Sequence, residues 1–172
     1  MYIIGDLVIY STHGICKIDD ICEKTISGEN RKYYVMHPIE NNHQLTISIP
    51  INNEKVFMHD LINKEEAIEV LQSFKSPGTI WEEQANQRHK LFSDIVKTGN
   101  RKEIARMINT LIRKKIEVER NGHKLYEQDR KLLTNTTSIL FKEMAISLNK
   151  NVDEIKELVI GLIKGKEIRL IF

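Results

Sequence analysis

The side chains that could do chemistry in this chain are six histidines, two cysteines and its carboxylates. The histidines stand at positions 13, 37, 43, 59, 89 and 123, and none lies at a metal-ligand spacing from another histidine, a cysteine or a carboxylate on a predicted helix. His59-Asp60 and Glu65-Glu66 would suit acid–base catalysis, but first-turn carboxylates are better explained by the helix dipole. The eight glycines stand singly, without a phosphate-binding loop. The sequence therefore predicts no catalytic residues, no metal site and no cofactor.

Cys16 and Cys22 are six residues apart in a stretch that is typical of one β-strand. At that spacing both side chains would lie on one face, a poor geometry for a disulfide bond within a strand. We expect two small buried thiols rather than a redox or metal pair. The sequence also contains no apolar run long enough to span a bilayer and no signal-peptide pattern, so we expect a cytoplasmic protein.

Basic side chains occur in clusters, and several of these lie near the ends of predicted helices, where Lys, Arg and free backbone N–H groups can contact phosphates. The clusters are Arg88-His89-Lys90, Arg101-Lys102 with Arg106, Arg113-Lys114-Lys115, and Arg130-Lys131. No zinc finger or basic zipper is present, so phosphate contacts are expected rather than reading of bases. Trp81, the only tryptophan, is expected to be a packing anchor, with an apolar wedge between bases as the alternative.

The charge is divided unequally along the chain. Residues 1–75 carry 7 Lys/Arg and 11 Asp/Glu, a net charge of −4, whereas residues 76–172 carry 19 and 13, a net charge of +6. Such a division favours a polyanionic partner for the second part alone. Well-solvated basic helices without such a partner would carry the same net charge. Charge alone therefore does not distinguish these two explanations.

The elements that must position these residues change type after about residue 60. Short alternating runs separated by turn residues between Asp6 and Pro50 predict a small, bent antiparallel sheet or barrel. A period of about three and a half residues then predicts a short helix between Asn63 and Ser76 and further helices over 79–97, 101–118, 127–148 and 152–163. The fold class is therefore α+β, and Ser76-Pro77-Gly78 is the best domain boundary because it coincides with the change in charge.

Several motifs stand in a characteristic order along the chain. Gly5-Asp6-Leu7-Val8-Ile9-Tyr10 is followed by His13-Gly14, then by Tyr33-Tyr34-Val35 and Leu45-Thr46-Ile47-Ser48-Ile49-Pro50. In the helical part, Lys97-Thr98-Gly99-Asn100 precedes a helix start over residues 125–131. In this order and spacing the chain resembles the CarD/CdnL family of bacterial transcription regulators along nearly its whole length.

The resemblance implies three segments. Residues 1–62 would form a Tudor-like module that binds the β subunit of RNA polymerase, and residues 63–78 a short helix and linker. Residues 79–172 would form a basic helical domain that contacts promoter DNA near the upstream edge of the melted region and modulates open-complex stability. The alternative that we retain is a β-barrel adaptor that binds another protein or structured RNA without contacting promoter DNA; an enzyme is a distant third.

The resemblance also assigns residues. Lys24 and Ser48 stand where the family has polymerase-contacting arginines, with Thr46 as a neighbour that can share the contact. Ala85 stands at the family's usual tryptophan position, one helical turn after Trp81, and Arg88 and Lys90 match basic positions. The residues expected to face DNA are Trp81, Ala85, Arg88, Lys90, Arg101, Lys102, Arg130 and Lys131. No small-molecule substrate and no membrane contact are expected.

Overall fold

A computed structural model describes residues 1–10, 13–26, 28–40, 45–52 and 58–165 of the chain, so His43 lies outside the described part. The chain forms two compact units, Met1–Leu61 and Ile62–Phe172. The first unit is a β-sheet and the second is helical. The predicted α+β class, with a small antiparallel β module ahead of a helical domain, is therefore confirmed.

In the β unit, the described residues form an antiparallel sheet of five strands in the order β4-β3-β2-β1-β5. The strands are β1 (Leu7–Tyr10), β2 (Gly14–Ile26), β3 (Glu29–Pro38), β4 (Ile47–Pro50) and β5 (Met58–Asp60). Alternate apolar side chains cover one face of the sheet and form its core. These are Val8, Cys16, Ile18, Tyr34, Met36 and Ile49.

A β-bulge in β2 explains why the two cysteines do not share a face. The register with β3 shifts between Ile18 and Asp20, so one extra residue reverses the inside–outside alternation beyond that point. Cys16 is fully buried in the core, whereas Ile21 takes the inward position after the bulge and Cys22 is only half-buried. The expected pair of buried thiols on one face is therefore wrong for Cys22.

The described part of the helical unit contains five helices, three of which begin at an asparagine cap. They are α1 (Lys64–Ser73), α2 (Ala85–Thr98), α3 (Arg101–Arg120), α4 (Glu127–Leu148) and α5 (Val152–Ile163). The breaks predicted from glycine and asparagine are confirmed, since Gly99, Gly122 and Asn149 all adopt left-handed backbone conformations.

Helix α1 belongs to the helical unit and is not part of a linker. Its buried residues Val70 and Leu71, with Phe74 just after it, join the same core as α3, α4 and α5. The side-chain amide of Asn109 on α3 donates to the carbonyl oxygens of Phe74 (3.1 Å) and Ser76 (2.8 Å). The two compact units thus divide at residues 61/62, next to the end of the 1–62 module that the resemblance implies, and not at the Ser76-Pro77-Gly78 boundary that was chosen from the change in charge.

Residues 79–84 were predicted to begin a helix, but α2 starts only at Ala85. The hydroxyl of Thr110 donates to the carbonyl of Thr79 (2.7 Å), and the backbone of Gly78 lies so close to α3 that a Cβ there would be 2.1 Å from Thr110 Oγ1. Contact with α3 therefore holds the start of this segment outside a helix. Trp81 consequently precedes α2 instead of lying in its first turn.

Among the described residues, no helix combines the length and apolar composition that crossing a lipid bilayer requires.

Candidate functional site

The β unit presents an open strand edge. Strand β4 pairs with β3 on one side, and no other described strand pairs with its other side. The N–H of Ile51 donates to the carbonyl of Lys32 (2.9 Å), so the alternation of an antiparallel ladder turns the backbone groups of Ser48 and Pro50 outward. Pro50 has no N–H to lose there, which suits an edge. The N–H and C=O of Ser48 are therefore available for strand pairing.

Two of the three residues predicted to bind the polymerase meet beside this edge. The ammonium of Lys24 on β2 donates to the hydroxyl of Ser48 on β4 (2.8 Å) and lies 5.7 Å from the ring centroid of Tyr33. Thr46 is exposed two residues before Ser48. The face of the sheet opposite the core thus carries a cation and hydroxyl groups next to an open edge.

Arg88, predicted to face DNA, is instead buried. Its guanidinium pairs with Asp129 on α4 (Nη2–Oδ2 2.7 Å), and both side chains are at most 5% exposed. The same guanidinium donates to the carbonyls of Glu82 (2.6 Å) and Glu83 (3.1 Å). Since its donors are engaged inside the protein, Arg88 holds α2, α4 and the preceding segment together and does not present its charge at the surface.

Trp81 packs against the same arginine. The guanidinium carbon of Arg88 lies 4.1 Å from the centroid of the indole, the ring of Phe92 meets it edge-on at 6.5 Å, and the ammonium of Lys114 lies 5.4 Å away. The side chain of Trp81 is half-buried against the helical core. This matches the packing role that sequence reasoning favoured for it.

Exposed cations surround the N-terminal ends of α2 and α4, which the Arg88–Asp129 pair joins. Lys90, Arg130 and Lys131 are exposed, and Ala85 is the half-buried first residue of α2. The N-termini of α2 and α4 carry no side-chain cap, whereas Asn63, Asn100 and Asn151 cap the other three helices. We use the name helix-start surface for the outward-facing parts of these two helix starts, represented by Ala85 and Lys90 on α2 and by Arg130 and Lys131 on α4.

One carboxylate partly neutralises the helix-start surface. Glu127 accepts hydrogen bonds from Arg130 (2.7 Å) and lies 3.7 Å from the ammonium of Lys131. The hydrogen bond from Arg130, and then the charges of Arg130 and Lys131, lower the pKa of Glu127 below its usual range. One negative charge therefore faces two positive charges, and the pairs are exposed enough for a phosphate to compete for the cations.

Arg101 and Lys102 form a separate group. Arg101 is 15% exposed and pairs with Glu143 on α4 (3.1 Å), and Lys102 pairs with Glu69 on α1 (2.7 Å). Asp129 and Glu143 are separated by fourteen residues of one helix, or about 21 Å at 1.5 Å per residue. The structure therefore divides the predicted DNA-facing residues between two ends of α4.

Sequence reasoning missed the two carboxylates that organise these groups. Glu143 is 1% exposed, and it also accepts the backbone N–H of Ile62 (3.0 Å), so it fixes the start of the helical unit. The sequence did contain a signal for both carboxylates. Asp129 and Glu143 stand in phase with the apolar positions of α4, Leu133 and Leu140, at helical spacing. Acidic residues within a buried stripe indicate buried ion pairs.

In the described part of the chain, no cluster of His, Cys, Asp and Glu could hold a metal ion. His37 Nδ1 lies 2.7 Å from Asp19 Oδ2 at the bulge of β2. Burial raises the pKa of the Cys16 thiol to about 11, which keeps it protonated and unreactive at neutral pH.

The structure defines a protein of two units, a β unit with an open strand edge and a helical unit with exposed cations. Residues 2–62 match the family model for the CarD-like/TRCF RID domain, and residues 69–160 match that for the CarD C-terminal domain. The chain is 28% identical over 151 residues to "Putative transcription factor YdeB" of Bacillus subtilis (strain 168), with 85% of this chain and 92% of that protein covered. The chain belongs to the CarD family and is a regulator of transcription, not an enzyme.

Proposed function

We propose that the β unit binds the β subunit of RNA polymerase and that the helical unit contacts promoter DNA near the upstream edge of the melted region. Together the two contacts would modulate the stability of the open complex in the cytoplasm. Membership of the CarD family supports the transcriptional role. The open edge of β4, with Lys24 beside Ser48, is the observation that carries the polymerase contact.

An unpaired edge strand is a template for another strand. Its outward N–H and C=O groups can pair with an extended segment of a partner, and neighbouring side chains then select the partner. Ser48 offers both backbone groups on the open side of β4, and Lys24 and Thr46 lie beside it. Lys24, Thr46 and Ser48 are therefore our proposed polymerase-binding residues.

The DNA contact that we propose is made mainly to phosphates. Lys90, Arg130 and Lys131 offer charge on the helix-start surface, where two uncapped helix ends offer backbone N–H groups, and the small Ala85 leaves room for close approach. Lys102 supplies a second, separate contact. Three further residues contribute indirectly, because their side chains stabilise the segments that carry the exposed cations. They are Arg88, Arg101 and Trp81.

The polymerase half of the proposal is tested by titrating the full-length chain with purified RNA polymerase β subunit. Ser48→Pro removes the outward N–H without breaking the ladder to β3, so binding should be lost. Ser48→Ala keeps that N–H and should retain most of the binding. No binding of the unaltered chain at micromolar concentration would remove the polymerase contact, and equal binding by both variants would place it away from β4.

A further inference from the structure

A groove of about 680 Å³ extends along α5. Its lining runs from Lys150, just before the helix, to Lys164, just after it, and is mostly apolar. Leu158, Ile160 and Gly161 contribute apolar surface near its middle and its far end. The volume falls within the range of about 300–1,000 Å³ that is typical of pockets enclosing a ligand larger than one side chain. The groove therefore has the size and the composition of an occupied surface.

Gly161 lies on the side of α5 that faces away from the core. The core-facing residues Ile155 and Val159 are fully buried, and at 100° per residue Gly161 is about 120° and 160° around the helix from them. Gly161 is nevertheless buried. A glycine inside a helix is destabilising relative to alanine, and one reason for its use is the close approach of another backbone. The middle of the groove is thus suited to a chain segment that lies against the helix.

The end of α5 directs the residues that follow it towards the groove. Gly165 adopts a left-handed conformation (φ 73°), and its N–H donates to the carbonyl of Leu162 (3.0 Å). At helix ends of this kind the residue after the glycine commonly contacts the third and fourth residues from the end of the helix. In α5 these are Gly161 and Ile160, and both line the groove.

We infer that residues 166–172 fold back along α5 and occupy this groove. They have the sequence Lys-Glu-Ile-Arg-Leu-Ile-Phe and lie outside the described part of the chain. Seven extended residues span about 23 Å at 3.3 Å each, whereas the 12 residues of α5 span about 18 Å at 1.5 Å each. The segment is therefore long enough to cover the helix. Alternate side chains of an extended segment share a face, which places Ile168, Leu170 and Phe172 together.

Covalent attachment favours this segment over any separate occupant. It begins directly after Gly165, next to the groove, so its effective concentration there is in the millimolar range. A second copy of the chain, or an unrelated apolar partner, would have to displace it. Because the contact lies within one chain, it is independent of the proposed polymerase and DNA contacts.

Disulfide trapping in the full-length chain tests the contact. The variants carry Cys22→Ser, which removes the partly accessible thiol, and Leu158→Cys with either Ile168→Cys or Leu170→Cys. Mild oxidation should link at least one of the two pairs within a single chain. The control replaces Leu158→Cys by Asp94→Cys, an exposed position on α2 that does not line the groove, and should link at least about tenfold more slowly. Peptide mass spectrometry identifies the links, and mixing with isotope-labelled chain separates links within a chain from links between chains.

Urea denaturation of full-length variants measures what the contact contributes. Ile168→Ser changes a side chain that we assign to the groove, and Ile171→Ser makes the same change on the opposite face of the segment. Ile168→Ser should lower the urea midpoint by about 0.5 M, and Ile171→Ser should lower it much less. In the presence of Leu158→Ala the effect of Ile168→Ser should shrink, because part of the groove wall has already been removed.

The outcomes decide between docking, another occupant and no contact. Linking of both tail cysteines to position 158 no faster than to position 94, or equal midpoints for the two serine variants, would show that the segment does not dock in the groove. Links formed only between chains would assign the groove to a second copy and would overturn the inference.

Discussion

Burial gives the two cysteines different reactivities. Cys16 is fully buried and its pKa is raised to about 11, so its thiolate is scarce at pH 8, whereas Cys22 is partly accessible on the opposite face. We expect iodoacetamide to modify Cys22 first in the folded protein, and Cys16 only after a denaturant is added. Peptide mass spectrometry over time measures this order. Cys22→Ser should remove the early product, and equal rates at the two thiols would contradict the assigned burial.

The buried pair of Arg88 and Asp129 makes a second prediction for single residues. Asp129→Asn leaves a buried guanidinium without a counter-charge and should lower the free energy of unfolding by about 3 kcal/mol. The measurement is urea denaturation at neutral pH. The control is Glu127→Gln, which removes an exposed carboxylate from the same helical turn and should lower the urea midpoint much less than Asp129→Asn does. Equal losses of stability in Asp129→Asn and Glu127→Gln would show that the Arg88–Asp129 pair is solvated.

For the secondary structure, local signals in the sequence predicted most elements. Periodicity and capping residues gave four helices to within a few residues, because those signals act within one or two turns. The start of α2 was not predicted because contact with Thr110 determines it. The bulge in β2 was not predicted because pairing with β3 determines it. Elements that distant contacts determine leave little trace in the local sequence.

The candidate site was predictable as a type of surface but not residue by residue. Basic clusters in the sequence indicated exposed cations, and Lys90, Arg130 and Lys131 are exposed. Arg88 and Arg101 looked equivalent to them in sequence, yet their partners lie 41 and 42 residues further along the chain. The apolar stripe of α4 indicates that Asp129 and Glu143 are buried and paired, but no local pattern shows which arginines they pair with. The assigned DNA and polymerase contacts themselves stay predictions.

Helix α1 supplies the prediction for elements. Val70, Leu71 and Phe74 are almost fully buried in the core of the helical unit, and each contributes about 2 kcal/mol. Losing the burial of all three side chains would remove most of the free energy of unfolding of an ordinary domain. We therefore expect residues 62–172 to unfold cooperatively when expressed alone, and residues 79–172 to lack a cooperative transition. Circular dichroism during heating distinguishes them, and equal melting of both fragments would return the domain boundary to residues 76–78.

In the whole molecule the charge division follows the structural boundary. The β unit, residues 1–61, carries 5 Lys/Arg and 8 Asp/Glu, and the helical unit carries 21 and 16, which gives net charges of −3 and +5. A polyanion is therefore repelled by one unit and attracted by the other. General attraction of this kind would not depend on which lysines carry the charge, whereas a defined phosphate contact would.

Charge-matched variants of the full-length chain separate these two cases. Binding to duplex DNA should weaken steeply with salt, and Lys90→Gln with Lys131→Gln should reduce the log–log slope by about 2, because each lost phosphate contact removes about 0.9. Lys156→Gln with Lys164→Gln removes the same charge from α5 and its C-terminal end and should leave the slope nearly unchanged. Equal slopes for both double variants would mean that only net charge matters. Tighter binding to a structured RNA of equal length, lost in the first double variant, would favour an RNA adaptor over a promoter-binding regulator.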